Sequence, residues 1–233
     1  MFEPWMCAVL ALPFITPRPA LLGERPATGR DARSCAHRHT MELRVDVQWS
    51  AAAVGDELKS LHARLERSGL LKGGTSIIST QLPCLVFHHR EADGEHYIYV
   101  EDVDRGCLAG YTVFNRLIEV NRRLDRFVRA PHSKYAGGYQ RRGIATAVYE
   151  WALGQGFCLI SGARQSQGAH ALWRSLAKRH QLEYIEIRDK SISFLGSQVD
   201  QATLDSLQTR MLLLGEAWNA DRWRLTVRGL ADR

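Results

Sequence analysis

Residues 124–152 read LDRFVRAPHSKYAGGYQRRGIATAVYEWA. A short apolar segment, Phe127-Val128, meets Pro131 and then a polar loop carrying Gly137-Gly138. Gln140-Arg141-Arg142-Gly143-Ile144-Ala145 follows, and a helical pattern starts at once. From Ile144 the apolar residues recur at Ala147, Val148 and Trp151, the 3.6-residue period of one buried helix face. The order is therefore strand, glycine-bearing loop, helix N-terminus. A helix N-terminus offers unpaired backbone N–H groups and the positive end of a dipole, which suits a phosphate or pyrophosphate. Gly143 permits close backbone approach, and the small Ala145 keeps the first turn open.

Two nucleotide-binding patterns are absent. No Lys-Ser or Lys-Thr pair follows these glycines as GxxxxGK[ST] requires, and there is no GxGxxG. What remains, Gln140-x-x-Gly143-x-Ala145 between strand and helix, resembles motif A of the GNAT acyl-CoA N-acyltransferases, [QR]-x-x-G-x-[GA]. The resemblance implies an α/β (α+β) fold with a mixed, mostly antiparallel central sheet flanked by helices. It also implies that loop amides hold the pyrophosphate of coenzyme A and that the preceding strand splays to admit the pantetheine. Val128, Gln140, Arg141, Arg142, Gly143, Ile144, Ala145 and Thr146 are the cofactor-binding residues it implies. Acetyl-CoA is the implied co-substrate, and no metal is expected.

The flanking pattern agrees. A helix is expected from Ala51 to Ser68, with Leu58, Leu61 and Leu65 on one face and Gly69 ending it. Strands are expected at Pro83–His88 and Glu95–Val103, joined by a hairpin turn at Ala92-Asp93-Gly94. A long extended segment covers Leu108–Val120, and the central strand is placed at Asp125–Arg129. Beyond the motif helix, Phe157–Ile160 suits a buried parallel strand. A second helix carries Ala169, Leu172, Trp173 and Leu176, and strands follow at Leu182–Ile187 and Ile192–Leu195. Leu204–Leu214 reads as an amphipathic stretch that completes and covers the sheet edge. Helix, antiparallel meander, motif loop and helix is the order the resemblance implies.

The first forty residues differ. Met6–Ile15 is apolar but interrupted by Pro13 and too short to span a bilayer; Glu3, the only charge before it, is not the basic start of a secretory signal. Residues 16–40 are rich in Pro, Arg, Ala and Gly without period and read as a disordered extension. Cys35, His37 and His39 lack a distant fourth ligand and are read as no metal site. Alternation begins after Met41, with a strand at Leu43–Trp49, so residues 41–233 are expected to form one domain.

At 233 residues, with 45% hydrophobic and 24% charged content, the chain has the make-up of a globular protein with a proper core. A net charge of +6 favours anionic partners. Five cysteines without a CxxC pair indicate neither a disulfide framework nor a zinc ribbon, which fits a reducing, cytoplasmic setting. Cys84 and Cys158 are expected to pack as small hydrophobes.

For the chemistry the resemblance implies, an amine must be neutral, an oxyanion stabilised and the departing thiolate protonated. A backbone N–H near Val128–Arg129 is the expected oxyanion donor. Asp125, leading the strand, is the first candidate base, or it simply pairs with Arg123 or Arg126; His132 is the second. The family's acid, a tyrosine, is replaced here by Trp173, whose indole cannot supply a proton. Tyr149 is the candidate substitute, with Tyr139 and His170 behind it. His132–Gly138 looks like an insertion whose Lys134 and Tyr135 could reach the adenosine 3′-phosphate or the acceptor. The expected partners are a coenzyme A thioester and an amine acceptor, with a homodimer allowed and no membrane. Two other readings stand beside it: a silent acyl-CoA-binding module, and a basic nucleic-acid-binding protein using Trp218, Arg222, Trp223 and Arg224.

Overall fold

The computed structural model describes residues 50–231. The expected disordered tail, the strand at Leu43–Trp49 and the Cys35, His37 and His39 group all lie outside the described residues.

Helix α1 (Ala51–Arg67) starts where the Ser50 side chain accepts a hydrogen bond from the Ala53 N–H. It buries Val54, Leu58 and Leu65, and the chain leaves it through Gly69 at φ 67°. The short α2 (Leu70–Gly73) leads to β1 (Ser76–Ile78), β2 (Leu85–Ala92), β3 (Glu95–Asp102) and β4 (Cys107–Asn115). Asp93 and Gly94 turn β2 into β3 with both φ angles positive, the geometry of a two-residue hairpin. A one-turn helix α3 (Arg122–Asp125) precedes β5 (Val128–Tyr135). A 3-10 turn at Gly137–Tyr139 then leads into α4 (Ile144–Gly154). The chain continues through β6 (Cys158–Ile160), α5 (Gln167–Leu176), β7 (Leu182–Arg188), β8 (Ser191–Gly196), α6 (Gln201–Leu204), β9 (Thr209–Leu213) and α7 (Ala220–Ala231).

The nine strands form one sheet in the order β1-β2-β3-β4-β5-β6-β9-β7-β8. Every pairing is antiparallel except β5 with β6. This is the mixed, mostly antiparallel sheet flanked by helices that the sequence led us to expect. Alternating strand residues divide the core between the two faces. On one face α4 and α5 pack Ile144, Val148, Tyr149, Trp173 and Leu176 against Phe87, Ile98, Phe114 and Leu159. On the other, α1 covers Tyr99 and Leu108, while Trp223 of α7 packs with Val128, Cys158, Ile160 and Leu212.

Several expectations are corrected. Strand β4 ends at Asn115 rather than Val120, because Asp125 draws in the next residues: its carboxylate accepts from the Arg116 Nε at 2.6 Å and the Leu117 N–H at 2.7 Å. Asp125 itself lies on α3, not on a strand. The central strand is displaced to Val128–Tyr135 and includes Pro131, so most of the His132–Gly138 segment expected as an inserted loop is strand. Finally, Thr209–Leu213 does not cover an edge but fills the middle of the sheet between β6 and β7. Cys158 is buried as expected, whereas Cys84 is exposed at φ 62°.

Candidate active site

Strand β6, three residues long, makes only short pairings, and the seam with β5 is parallel. Its register holds only Val128 against Cys158 and Arg129 against Leu159. Strand β5 then runs on to Tyr135 paired with β4 alone. Backbone direction alternates along a strand, so the hydrogen bonds fix which groups face the resulting split. The Ala136 N–H donates to Ala109 of β4, whereas the Phe127 carbonyl accepts from Cys158 of β6. Odd-numbered residues of β5 therefore face the β6 side. Pro131 has no N–H to leave unpaired there, which is why a proline is tolerated within this strand. The first edge amide beyond the seam belongs to Ser133. The N–H groups of Val128 and Arg129, where an oxyanion donor is expected, do not face the opening: Val128 turns toward β4 and Arg129 is engaged with β6.

The same end of β5 delivers the chain to the motif loop. The Gln140 side chain donates from Nε2 to the Tyr135 carbonyl at 3.0 Å and ties loop to strand. Tyr139, buried, donates its hydroxyl to Asp102 Oδ2 at 2.7 Å, and the guanidinium carbons of Arg142 and Arg105 lie 5.3 and 5.8 Å from the centre of its ring. Burial, together with Cys107 and Asp102, holds the Tyr139 hydroxyl far above its ordinary pKa, and its hydrogen bond depresses that of Asp102. Arg105 comes from the β3–β4 turn, and the motif gave no sign of it.

Arg141 and Gly143 adopt left-handed backbone at φ 59° and 79°. Gly143 caps α4 without a side chain. Among the described residues, the N–H groups of Ile144, Ala145 and Thr146 have no acceptor. A Cβ built on Gly143 meets no atom within 4 Å, so the space before these amides is open. Gly143 is required for its φ rather than for room. Arg141 and Arg142 are exposed on the rim. Unpaired amides, a helix dipole, open space and two cations suit an anion such as a phosphate. Residues Gln140 through Thr146 are thus brought together as one cradle, whereas Val128 is buried at the base of the seam.

The split has chemically different sides. Toward α1 lie His132 and Lys134. Lys134 Nζ is 2.6 Å from Glu57 Oε2, and the Tyr111 hydroxyl donates to Glu57 Oε1 at 2.5 Å. Lys134 is thus turned to α1 rather than to the motif loop. Burial raises the Glu57 pKa, but the Lys134 and Tyr111 hydrogen bonds outweigh it, and the carboxyl sits below its usual range. His132 packs near Tyr111 at 6.3 Å between ring centres. Surrounding protein atoms and the Lys134 ammonium push its pKa down, so the imidazole is neutral at pH 7.

Toward α4 lies a chain of hydroxyls. Tyr149 Oη is 3.4 Å from Ser133 Oγ, which is 2.8 Å from Thr112 Oγ1, itself 2.9 Å from Tyr135 Oη. Burial pushes Tyr149 up to about 12. Trp173 stands edge-on to Tyr149 at 6.3 Å and is a core residue. His170 is half-buried on α5. Asp125 lies at the opposite end of β5, with both carboxylate oxygens engaged. Trp223 is fully buried and Trp218 packs against it and Phe127, so these aromatics serve the core rather than a nucleic-acid stripe. Among the described residues no cluster of His, Cys, Asp and Glu could hold a metal ion, and no helix is long and apolar enough to cross a membrane.

No family model and no curated protein matches the chain. Among solved structures it is similar to a GNAT superfamily phosphinothricin acetyltransferase from Sinorhizobium meliloti, solved in complex with AcCoA. The two share 17% identity, the match covers 74% of this chain and 90% of that one, and the TM-score is 0.35.

Proposed function

We propose that this protein is a GNAT-type N-acetyltransferase that moves an acetyl group from acetyl-CoA to an amine. One observation carries the reading: β5 leaves β6 after two paired residues, and the edge so opened leads directly to the unpaired amides of α4. Gly143, Ile144, Ala145 and Thr146 bind the diphosphate, with Arg141 and Arg142 adding charge. The thioester carbonyl lies against the β5 edge, where the Ser133 N–H receives the developing oxyanion.

The amine approaches from the α1 side. Its nitrogen bonds to the acyl carbon, the carbon–sulfur bond breaks, and the electron pair stays on sulfur. His132, neutral at pH 7 and next in sequence to the oxyanion donor, takes the amine proton and passes it to water. Solvent returns a proton to the thiolate. Binding both substrates side by side can supply on the order of 7–11 kcal/mol of the barrier.

Calorimetry with acetyl-CoA, coenzyme A and ADP tests the reading. Micromolar binding of acetyl-CoA and coenzyme A, followed by acceptor-dependent thiol release, is the expected result. No binding of any of the three would sink it and bring the basic surface, tested with oligonucleotides at two salt concentrations, to the front.

A further inference from the structure

The hydroxyl chain beneath the split has no assigned part in the reaction, and its proton count gives it one. Ser133 Oγ is bonded to Tyr149 Oη and Thr112 Oγ1, and Thr112 Oγ1 to Tyr135 Oη: four hydroxyls joined by three hydrogen bonds. Each bond uses one proton, so one of the four protons has no acceptor within the chain. Its place follows from burial. Thr112 is 0% exposed, Tyr149 3% and Tyr135 9%, whereas Ser133 is half-buried on the open strand. A stranded donor inside the core costs more than one that can reach the split. The arrangement of lowest energy has Tyr149 donating to Ser133, and Tyr135 to Thr112, which in turn donates to Ser133. The surplus O–H is then that of Ser133.

We infer that Ser133 is a catalytic residue whose hydroxyl donates a hydrogen bond to the departing sulfur, with Tyr149 and Thr112 as positioning residues that direct it. The inference rests on the acetyltransferase reading. It places the amide of Ser133 on the oxyanion and its hydroxyl on the thiolate, on the face of β5 opposite His132. It also explains why Trp173 can occupy the position of the family's tyrosine. The role is hydrogen bonding and not net proton transfer. Burial pushes Tyr149 up to about 12, well above an ordinary thiol, so proton delivery from the chain to sulfur is unfavourable. Sulfur leaves with its electron pair, is stabilised by the Ser133 O–H, and takes its proton from water.

The test uses the full chain with acetyl-CoA and hydroxylamine as a small neutral nucleophile, reading thiol release. Ser133→Ala is expected to lower kcat by on the order of tenfold to a hundredfold, with the KM and calorimetric Kd for acetyl-CoA unchanged. Ser133→Thr keeps the hydroxyl and should restore most of the rate. Tyr149→Phe should lower kcat by a smaller factor, and the Ser133→Ala/Tyr149→Phe double variant should be no slower than Ser133→Ala alone, because Tyr149 acts through Ser133. If Ser133→Ala does not fold, Ser133→Val, which favours a strand and matches threonine in shape but lacks the hydroxyl, takes its place in both comparisons. Wild-type kcat in Ser133→Ala, or a Tyr149→Phe effect of equal size in both backgrounds, overturns the inference. So does a wild-type protein that binds acetyl-CoA but releases no thiol. Absence of acetyl-CoA binding to the wild type instead overturns the acetyltransferase reading itself.

Discussion

Replacing Gly143 by Ala and by Asn separates its two duties. Gly143 sits at φ 79°, ψ −2°, in the left-handed region, and a Cβ placed there meets no atom within 4 Å. There is thus no steric term, and the cost to stability is conformational. Holding an alanine in left-handed backbone costs about 1–2 kcal/mol, which for a chain of this size lowers Tm by about 3–6 °C. Asparagine tolerates this region, so Gly143→Asn should melt closer to the wild type. Ligand affinity should follow the opposite order. The asparagine side chain projects into the space before the α4 amides, so it should weaken acetyl-CoA binding more than alanine does. Gly143→Glu, bulkier and negative, should abolish binding. Thermal unfolding followed by circular dichroism gives the first ranking and calorimetry the second. An unchanged Tm for Gly143→Ala would refute the argument from backbone strain. Affinity that simply tracks stability across the series would refute the cradle.

The remaining predictions concern side chains. His89 and His96, hydrogen-bonded at 3.0 Å beneath Trp151 and Phe157, both have their pKa lowered, chiefly by burial. The unfolded chain then binds more protons than the folded one below the ordinary histidine value of 6.5, so their contribution is complete above pH 6.5 and is lost as pH falls below it. Urea melts between pH 7.5 and 5 should show this decline, and His96→Phe should flatten it. Asp125→Asn removes the acceptor of Arg116 and weakens that of the Leu117 N–H. A loss of about 1–3 kcal/mol in urea titration with an unchanged pH–rate profile is expected, and loss of the profile's acidic limb would make Asp125 the base after all. His132→Gln should cut kcat and remove an acidic limb centred below pH 6.5, where the depressed pKa places it. A persistent limb would exclude His132.

Much was legible because it is local. The apolar spacing of Val54, Leu58 and Leu65 makes α1; Asp93-Gly94 makes the β2–β3 turn; and Gly143 marks the junction of loop and helix from which the anion cradle follows. Each is a short-range rule that needs no partner. Strand β5 was missed for a physical reason. Its residues from Pro131 to Lys134 are not apolar on either face, since His132 and Lys134 turn to Glu57 and Tyr111 while Ser133 joins the hydroxyl chain. Without a buried apolar face there is no period of two to read. The insertion of β9 between β6 and β7 was equally silent, because Leu212 finds Ile160 and Glu183 only through pairing between distant segments. The same holds for Arg105 beside Tyr139 and for Asp125, which left its sequence neighbours Arg123 and Arg126 for Arg116. The motif loop and the helix that presents it follow from short-range pattern, and the class of sheet from the resemblance those residues carry. Where the sheet splits, and which amide, imidazole and hydroxyl face the opening, depends on hydrogen bonds between strands whose order no local pattern encodes.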